Sequence, residues 1–185
     1  MQSGKDPNQP PVVLIMGVSG SGKTTVGSTL AERLGWTYAE ADSFHPPANV
    51  EKMHAGHPLT DADRMPWLDA IVAFIDRTTA DGHPAVVTCS ALKRAYRDRL
   101  RTGRSNVAVI YLDADVETVR ARLAGRAGHF FPPELLASQF RDLEVPAADE
   151  DIEHVPVRMG VTSAQIVQRL LDEHAAEWRE WRAAD

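Results

Sequence analysis

Residues 17–24 read Gly-Val-Ser-Gly-Ser-Gly-Lys-Thr and fit the pattern G-x-x-x-x-G-K-[ST] without a mismatch. Before them stands Val12-Val13-Leu14-Ile15-Met16, a short apolar run of the kind a strand shows when helices cover both faces of its sheet. After them Val26, Leu30 and Leu34 recur at i, i+4 and i+8, one apolar helix stripe, and Gly35 follows where a left-handed cap belongs. A strand that turns through glycines straight into a helix can wrap its N–H groups round an anion, and the helix N-terminus adds positive potential. A merely connecting Gly/Ser-rich turn would not need the strand, Lys23 and Thr24 together. The motif therefore predicts a P-loop in which Gly17, Ser19, Gly20, Ser21, Gly22, Lys23, Thr24 and Thr25 surround the phosphates of a nucleotide. Lys23 should reach the β- and γ-phosphates, and the Thr24 hydroxyl should bind the Mg²⁺ that arrives with the nucleotide.

The remaining pattern alternates strand and helix. Further strands are expected at Thr37–Ala41, Ala85–Cys89, Val107–Leu112 and Ile152–Val157. Helices are expected at Met65–Thr79, with Pro66 in its first turn, at Leu92–Arg101, and at Val116–Leu123 behind a capping Asp115. A last helix opens with Thr162 and Gln165 at capping-box spacing. This predicts an α/β fold with a mainly parallel sheet, one domain over residues 12–185 behind a polar, Pro-rich, disordered tail at 1–11.

Composition narrows the setting. Twenty basic against 26 acidic residues give a formal charge of −6, which does not favour a nucleic-acid partner. No apolar run approaches the roughly 20 residues that span a bilayer, and the N-terminus lacks an apolar signal core. One cysteine, Cys89, excludes a disulfide framework and a Cys-rich zinc site, and suits a reducing cytoplasm. It lies in an expected strand and reads as a small apolar residue rather than a nucleophile. His45, His54 and His57 sit in a Pro-rich stretch and read as solvated histidines, not a metal cluster.

A switch GTPase would carry D-x-x-G and N-K-x-D, which this chain lacks, and no Glu follows Asp113 to polarise a water. A small phosphotransferase is left. Asp42 closes the second strand, at the edge where open α/β sheets bind ligands, and a carboxylate there can accept or orient the proton of an attacking hydroxyl. The third strand, Ala85-Val86-Val87-Thr88-Cys89-Ser90, ends without the usual metal-binding aspartate, so Asp42 could instead serve the Mg²⁺ shell or simply close a turn. Arg122 and Arg126, four apart, can project from one side of the helix ending at Gly125, and Gly125 and Gly128 supply flexible points for an Arg-bearing flap over the triphosphate. Arg120, on the same helix, reads as ordinary surface.

Five blocks in this order and spacing resemble the gluconate kinases, P-loop enzymes related to shikimate kinase and the nucleoside monophosphate kinases. They are MGVSGSGKTT, DSFHPPANVEKM, LTDADRMPWL, CSALKRAYRDRLR and GHFFPPELLASQF, between Val13 and Glu150. The resemblance implies ATP-dependent phosphorylation of D-gluconate at its 6-hydroxyl. It also implies a three-layer fold around a five-stranded parallel sheet of order 2-3-1-4-5, a substrate-binding helical region near 43–80, a mobile lid near 122–140, and a homodimer. Catalytic roles fall on Lys23, Asp42 and Arg126, and an ATP contact on Arg122. Asp42, His45, Arg64, Ser90, Lys93, Arg94, His129 and Gln139 become acceptor-side groups. A polyol with one carboxylate needs a fixed cation, and Arg64 at a helix start is a candidate, with a surface ion pair to Asp61 or Asp63 as the alternative. Arg97 and Arg101 read as a solvated helix face, Phe130 and Phe131 as lid anchors, Trp178 and Trp181 as packing or dimer contacts, and the loop at 158–161 as a neighbour of the adenine. Rival readings are a kinase of another small hydroxy acid such as shikimate, or of a nucleoside monophosphate, and a nucleotide-binding regulatory protein without transfer activity.

Overall fold

β1 (Val12–Met16) is buried at every residue because both of its edges and both of its faces are covered. In the computed structural model, which describes residues 8–124 and 133–181, it lies at the centre of a five-stranded parallel sheet. The other strands are β2 (Thr37–Glu40), β3 (Ala85–Thr88), β4 (Val107–Ala114) and β5 (Glu153–Val157), in the order β2-β3-β1-β4-β5. The fold class and strand order implied by the sequence are those observed.

The pleat divides β1 between two cores. Val13 and Ile15 join Val26, Leu30 and Leu34 of α1 (Lys23–Leu34) and Ile166, Val167 and Leu170 of α7 (Ser163–Glu173). Val12, Leu14 and Met16 join Trp67, Leu68, Ile71 and Ile75 of α3 (Asp61–Ala80) and Tyr96 and Leu100 of α4 (Arg94–Arg101). Side chains alternate across a strand, so one apolar run supplies both layers. In chain order α2 (Pro47–His54) lies between α1 and α3, and α5 (Val116–Ala124) and α6 (Pro133–Asp142) lie between α4 and α7. Trp178 is buried edge-on to Trp36, with ring centroids 5.7 Å apart, and Trp36 Nε1 donates to the Trp181 carbonyl at 2.7 Å. The C-terminal tryptophans are packing groups in this chain.

α1 lies very close to the sheet. A Cβ on Gly27 would stand 2.4 Å from Thr88 Cγ2, so only glycine lets the helix pack at this distance. α3 begins four residues before its expected start. Thr60 accepts from the Asp63 N–H at 3.2 Å, Asp63 accepts from the Thr60 N–H at 2.7 Å, and this capping box leaves Pro66 inside the helix. Pro10 and Pro11, assigned to the tail, are buried, and their carbonyls accept from Asn106 Nδ2 and the Ala85 N–H. The tail residues 1–7 lie outside the described residues. Among the described residues no helix is long and apolar enough to cross a membrane.

Candidate active site

The site forms where β1, β2 and β3 end. Gly22 caps α1 with φ 107°, a left-handed conformation that glycine adopts without steric cost, and turns the loop into the helix. The Gly17 N–H donates to the Ser90 carbonyl at 3.3 Å, which ties the start of the loop to the end of β3. Lys23 Nζ lies 3.1 Å from the Val18 carbonyl, folded back over its own loop. Thr24 and Thr25 are exposed in the first helical turn.

Glu40 is a side chain at the site that the sequence reading gave no role. Its carboxylate accepts from Tyr38 Oη at 2.7 Å and from Thr24 Oγ1 at 3.3 Å. Glu40 pairs in register with Thr88, so the carboxylate absent from the end of β3 is supplied by the strand beside it. Tyr38 Oη also lies 3.1 Å from Thr88 Oγ1, and burial, with Glu40 beside it, pushes its pKa up to about 12. Two hard oxygen donors, the Thr24 hydroxyl and the Glu40 carboxylate, suit Mg²⁺, which keeps several waters and phosphate oxygens in its shell. Among the described residues no group of three or more His, Cys, Asp or Glu side chains could hold a metal.

Asp42 sits two residues further on, exposed, in a 3-10 turn over Ala41–Phe44. The turn is fixed on both sides. Ser43 Oγ donates to the Glu40 carbonyl at 2.7 Å, and Trp67 Nε1 donates to the Ala41 carbonyl at 2.7 Å. His45, read as solvated, is half-buried and stacked on Trp67 with centroids 4.5 Å apart. Burial lowers its pKa and Arg64 adds to that, while Asp42 opposes it. His54 and His57 are exposed.

Arg64 and Lys93 come together although 29 residues separate them in the chain. Lys93 Nζ contacts both Asp61 oxygens, at 2.7 and 3.0 Å, and Tyr96 Oη donates to Asp61 at 2.5 Å. Arg64 donates to Tyr96 Oη at 3.1 Å and lies 3.7 Å from Asp61. The Lys93 and Tyr96 hydrogen bonds hold the Asp61 carboxyl below its usual range. A carboxylate-binding cluster of two cations and a phenol thus stands at the start of α3, beside the Asp42 turn. The surface pair with Asp61 that was the alternative for Arg64 is present as part of this cluster.

Other expected site residues are placed differently. Arg94 turns outward onto Asp149, at 3.2 and 2.8 Å, because it lies on the exposed side of α4. Gln139 of α6 bonds the P-loop, accepting from the Ser19 N–H at 2.6 Å and donating to Ser19 Oγ at 2.9 Å. Arg122 donates to the Ser21 carbonyl at 2.7 Å and to the Val161 carbonyl at 2.8 Å. It borders a cavity of about 410 Å³ between the P-loop and Val161–Ser163, beside the loop expected near the adenine. Arg97, expected in solvent, is buried against Glu150 because α4 presents it inward, and Arg101 donates to the Glu150 carbonyl. Cys89 is buried, and burial pushes its thiol up to about 12. Arg126, His129, Phe130 and Phe131 lie outside the described residues.

Residues 12–146 match the family model described as an AAA domain. The gluconokinase of Gluconobacter oxydans (strain 621H) is 50% identical over 144 residues, 78% of this chain and 81% of the relative. This chain belongs to the gluconokinase family. The thermosensitive gluconokinase of Escherichia coli (strain K12) is 43% identical over 151 residues, 81% of each chain. The crystal structure of a gluconokinase from Sinorhizobium meliloti 1021 superposes with a TM-score of 0.78 at 40% identity, covering 92% of this chain and 95% of that one. The stretch matched by the family model holds the P-loop, the Asp42 turn, Arg64 and the Lys93–Tyr96 pair, so the site of this gluconokinase-family chain lies within it.

Proposed function

We propose that the protein transfers the γ-phosphoryl group of ATP to the 6-hydroxyl of D-gluconate, giving 6-phospho-D-gluconate and ADP. The observation that carries the reading is the juxtaposition of a P-loop with a turn bearing Asp42 and an Arg64/Lys93/Tyr96 cluster that already binds a carboxylate. Membership of the gluconokinase family supports the same acceptor.

The P-loop amides and Lys23 hold the triphosphate. Thr24 and Glu40 are the side chains that would hold Mg²⁺, which neutralises charge on the β- and γ-phosphates. Asp42 accepts a hydrogen bond from the 6-hydroxyl and aims its lone pair at phosphorus; with a loose transition state, this positioning matters more than full removal of the proton. Arg64 and Lys93 grip the gluconate carboxylate, and Ser90 and His45 line the polyol. Arg122 borders the nucleotide, and the roles expected of Arg126 and His129 fall outside the described residues. Gln139 serves it indirectly, through its contacts with Ser19, while Arg94 is engaged by Asp149. We read the enzyme as a cytoplasmic homodimer, a state that sedimentation would test. The direct test of activity is Mg·ATP-dependent ADP release with D-gluconate, shikimate, glycerate, AMP or no acceptor. Release with gluconate alone is expected, and release with another acceptor would replace the pocket assignment.

A further inference from the structure

We propose that the buried Arg97–Glu150 pair is a positioning device for the acceptor side of the site, holding residues 90–93 in the conformation that presents Ser90 and Lys93 to the substrate. The inference rests on the acceptor-side reading of those two residues.

Both partners are almost fully buried, at 1% and 3% side-chain exposure. The pair is bidentate, with Nε to Oε2 at 2.6 Å and Nη2 to Oε1 at 2.8 Å. The remaining terminal nitrogen, Nη1, donates to the carbonyls of Ala91 at 3.2 Å and Leu92 at 3.0 Å. A buried guanidinium must satisfy its remaining donors, and here it does so on two main-chain oxygens of the segment that leads into α4.

That segment is where help is needed. Ala91 has φ 43°, a left-handed conformation that residues with a Cβ avoid and that persists only when the surroundings impose it. Ser90 immediately before it accepts from the P-loop Gly17, and Lys93 two residues later reaches Asp61. The Leu92 carbonyl also accepts from the Glu144 N–H at 2.9 Å, and the Glu144 carboxylate takes the Arg94 N–H at 2.6 Å. Glu150 is fixed in turn by the Ala147 N–H at 3.0 Å and by Arg101 on its carbonyl. The segment is therefore fastened to the phosphate site at one end and to the buried pair at the other.

Buried ion pairs can often be replaced by apolar side chains with little loss of stability, which separates positioning from folding. The test compares the Arg97→Met/Glu150→Leu double variant, Arg97→Lys and the surface control Arg99→Met. Three readouts are taken: thermal unfolding, KM for each substrate, and hydrogen exchange of amides 89–93 without ligand. The double variant is expected to fold, to raise KM for gluconate by about tenfold or more, to leave KM for ATP within about twofold, and to exchange faster at 89–93. Arg97→Lys keeps the charge but loses the planar fork, so it should show the same acceptor-selective defect, and Arg99→Met should show none. If the double variant does not fold, Arg97→Lys decides. Unchanged gluconate KM and unchanged exchange at 89–93 in a folded variant would overturn the proposal. Faster exchange in a protein whose wild type does not use gluconate would instead retain the device and discard the acceptor.

Discussion

Glu40 and Thr24 face each other at 3.3 Å, joining the end of β2 to the first turn of α1. A carboxylate in that place changes how the neighbouring acid should be understood. If Glu40 and Thr24 hold Mg²⁺ as proposed, Asp42 is released for the acceptor. Glu40→Gln should therefore raise the Mg²⁺ concentration needed for half-maximal activity by about tenfold or more, within the range for altered metal-site ligation. An unchanged Mg²⁺ titration would remove Glu40 from the metal site.

Asp42→Asn keeps the size of the side chain but cannot accept the hydroxyl proton. Its kcat should fall by at least about 100-fold while KM for ATP stays near wild type, as for loss of a positioned acid–base group. Near-normal turnover in the folded variant would exclude Asp42 from the chemistry.

Arg64→Ala should raise KM for gluconate by about 10- to 100-fold, the worth of a hydrogen bond to a charged group, with little change in KM for ATP. Steady-state kinetics with each substrate varied would check it. A variant weakened equally toward both substrates would mean that Arg64 supports the site as a whole.

Cys89 is fully buried and its thiol is pushed up to about 12. Iodoacetamide at pH 8 should therefore leave the folded enzyme unmodified and active, while the denatured chain reacts fully. Mass spectrometry after a timed exposure reads both outcomes, and rapid labelling of the native protein would show that the strand end opens.

Arg97 hydrogen bonds hold the Glu150 carboxyl below its usual range. A carboxylate with a depressed folded pKa contributes stability above its unfolded value, about 4.3, and that contribution disappears as pH falls through the folded value. Urea titrations should thus show the stability gap between wild type and Glu150→Gln narrowing as pH drops from 6 toward 3. A gap independent of pH would show that the pair's charge is immaterial to folding.

Local signals carried most of what could be read from the chain. The P-loop, the Gly35 cap and the Thr162 capping box each depend on a few adjacent residues, and each was legible. Glu40 was not, because its importance comes from lying in register with Thr88, and strand pairing is not written in either segment. Arg97 looked like one more cation on a polar helix; its partner lies 53 residues away, on a turn with no pattern of its own. Gln139 likewise gained its contact with Ser19 only through the packing of α6 across the loop. Thr60 and Asp63 were readable as a capping box, but Pro66 drew the helix start to itself.

The order of the strands has a metric consequence. β3 lies between β1, which feeds the P-loop, and β2, which feeds the Asp42 turn. Neighbouring strands are spaced about 4.8 Å apart, so donor and acceptor platforms stand about two spacings, or roughly 10 Å, from each other. That interval is set by main-chain hydrogen bonds that no side-chain substitution can shorten. The sheet acts as a ruler for the two platforms, and the side chains and substrates they carry must close the remaining distance to the about 3–3.5 Å at which reacting atoms meet.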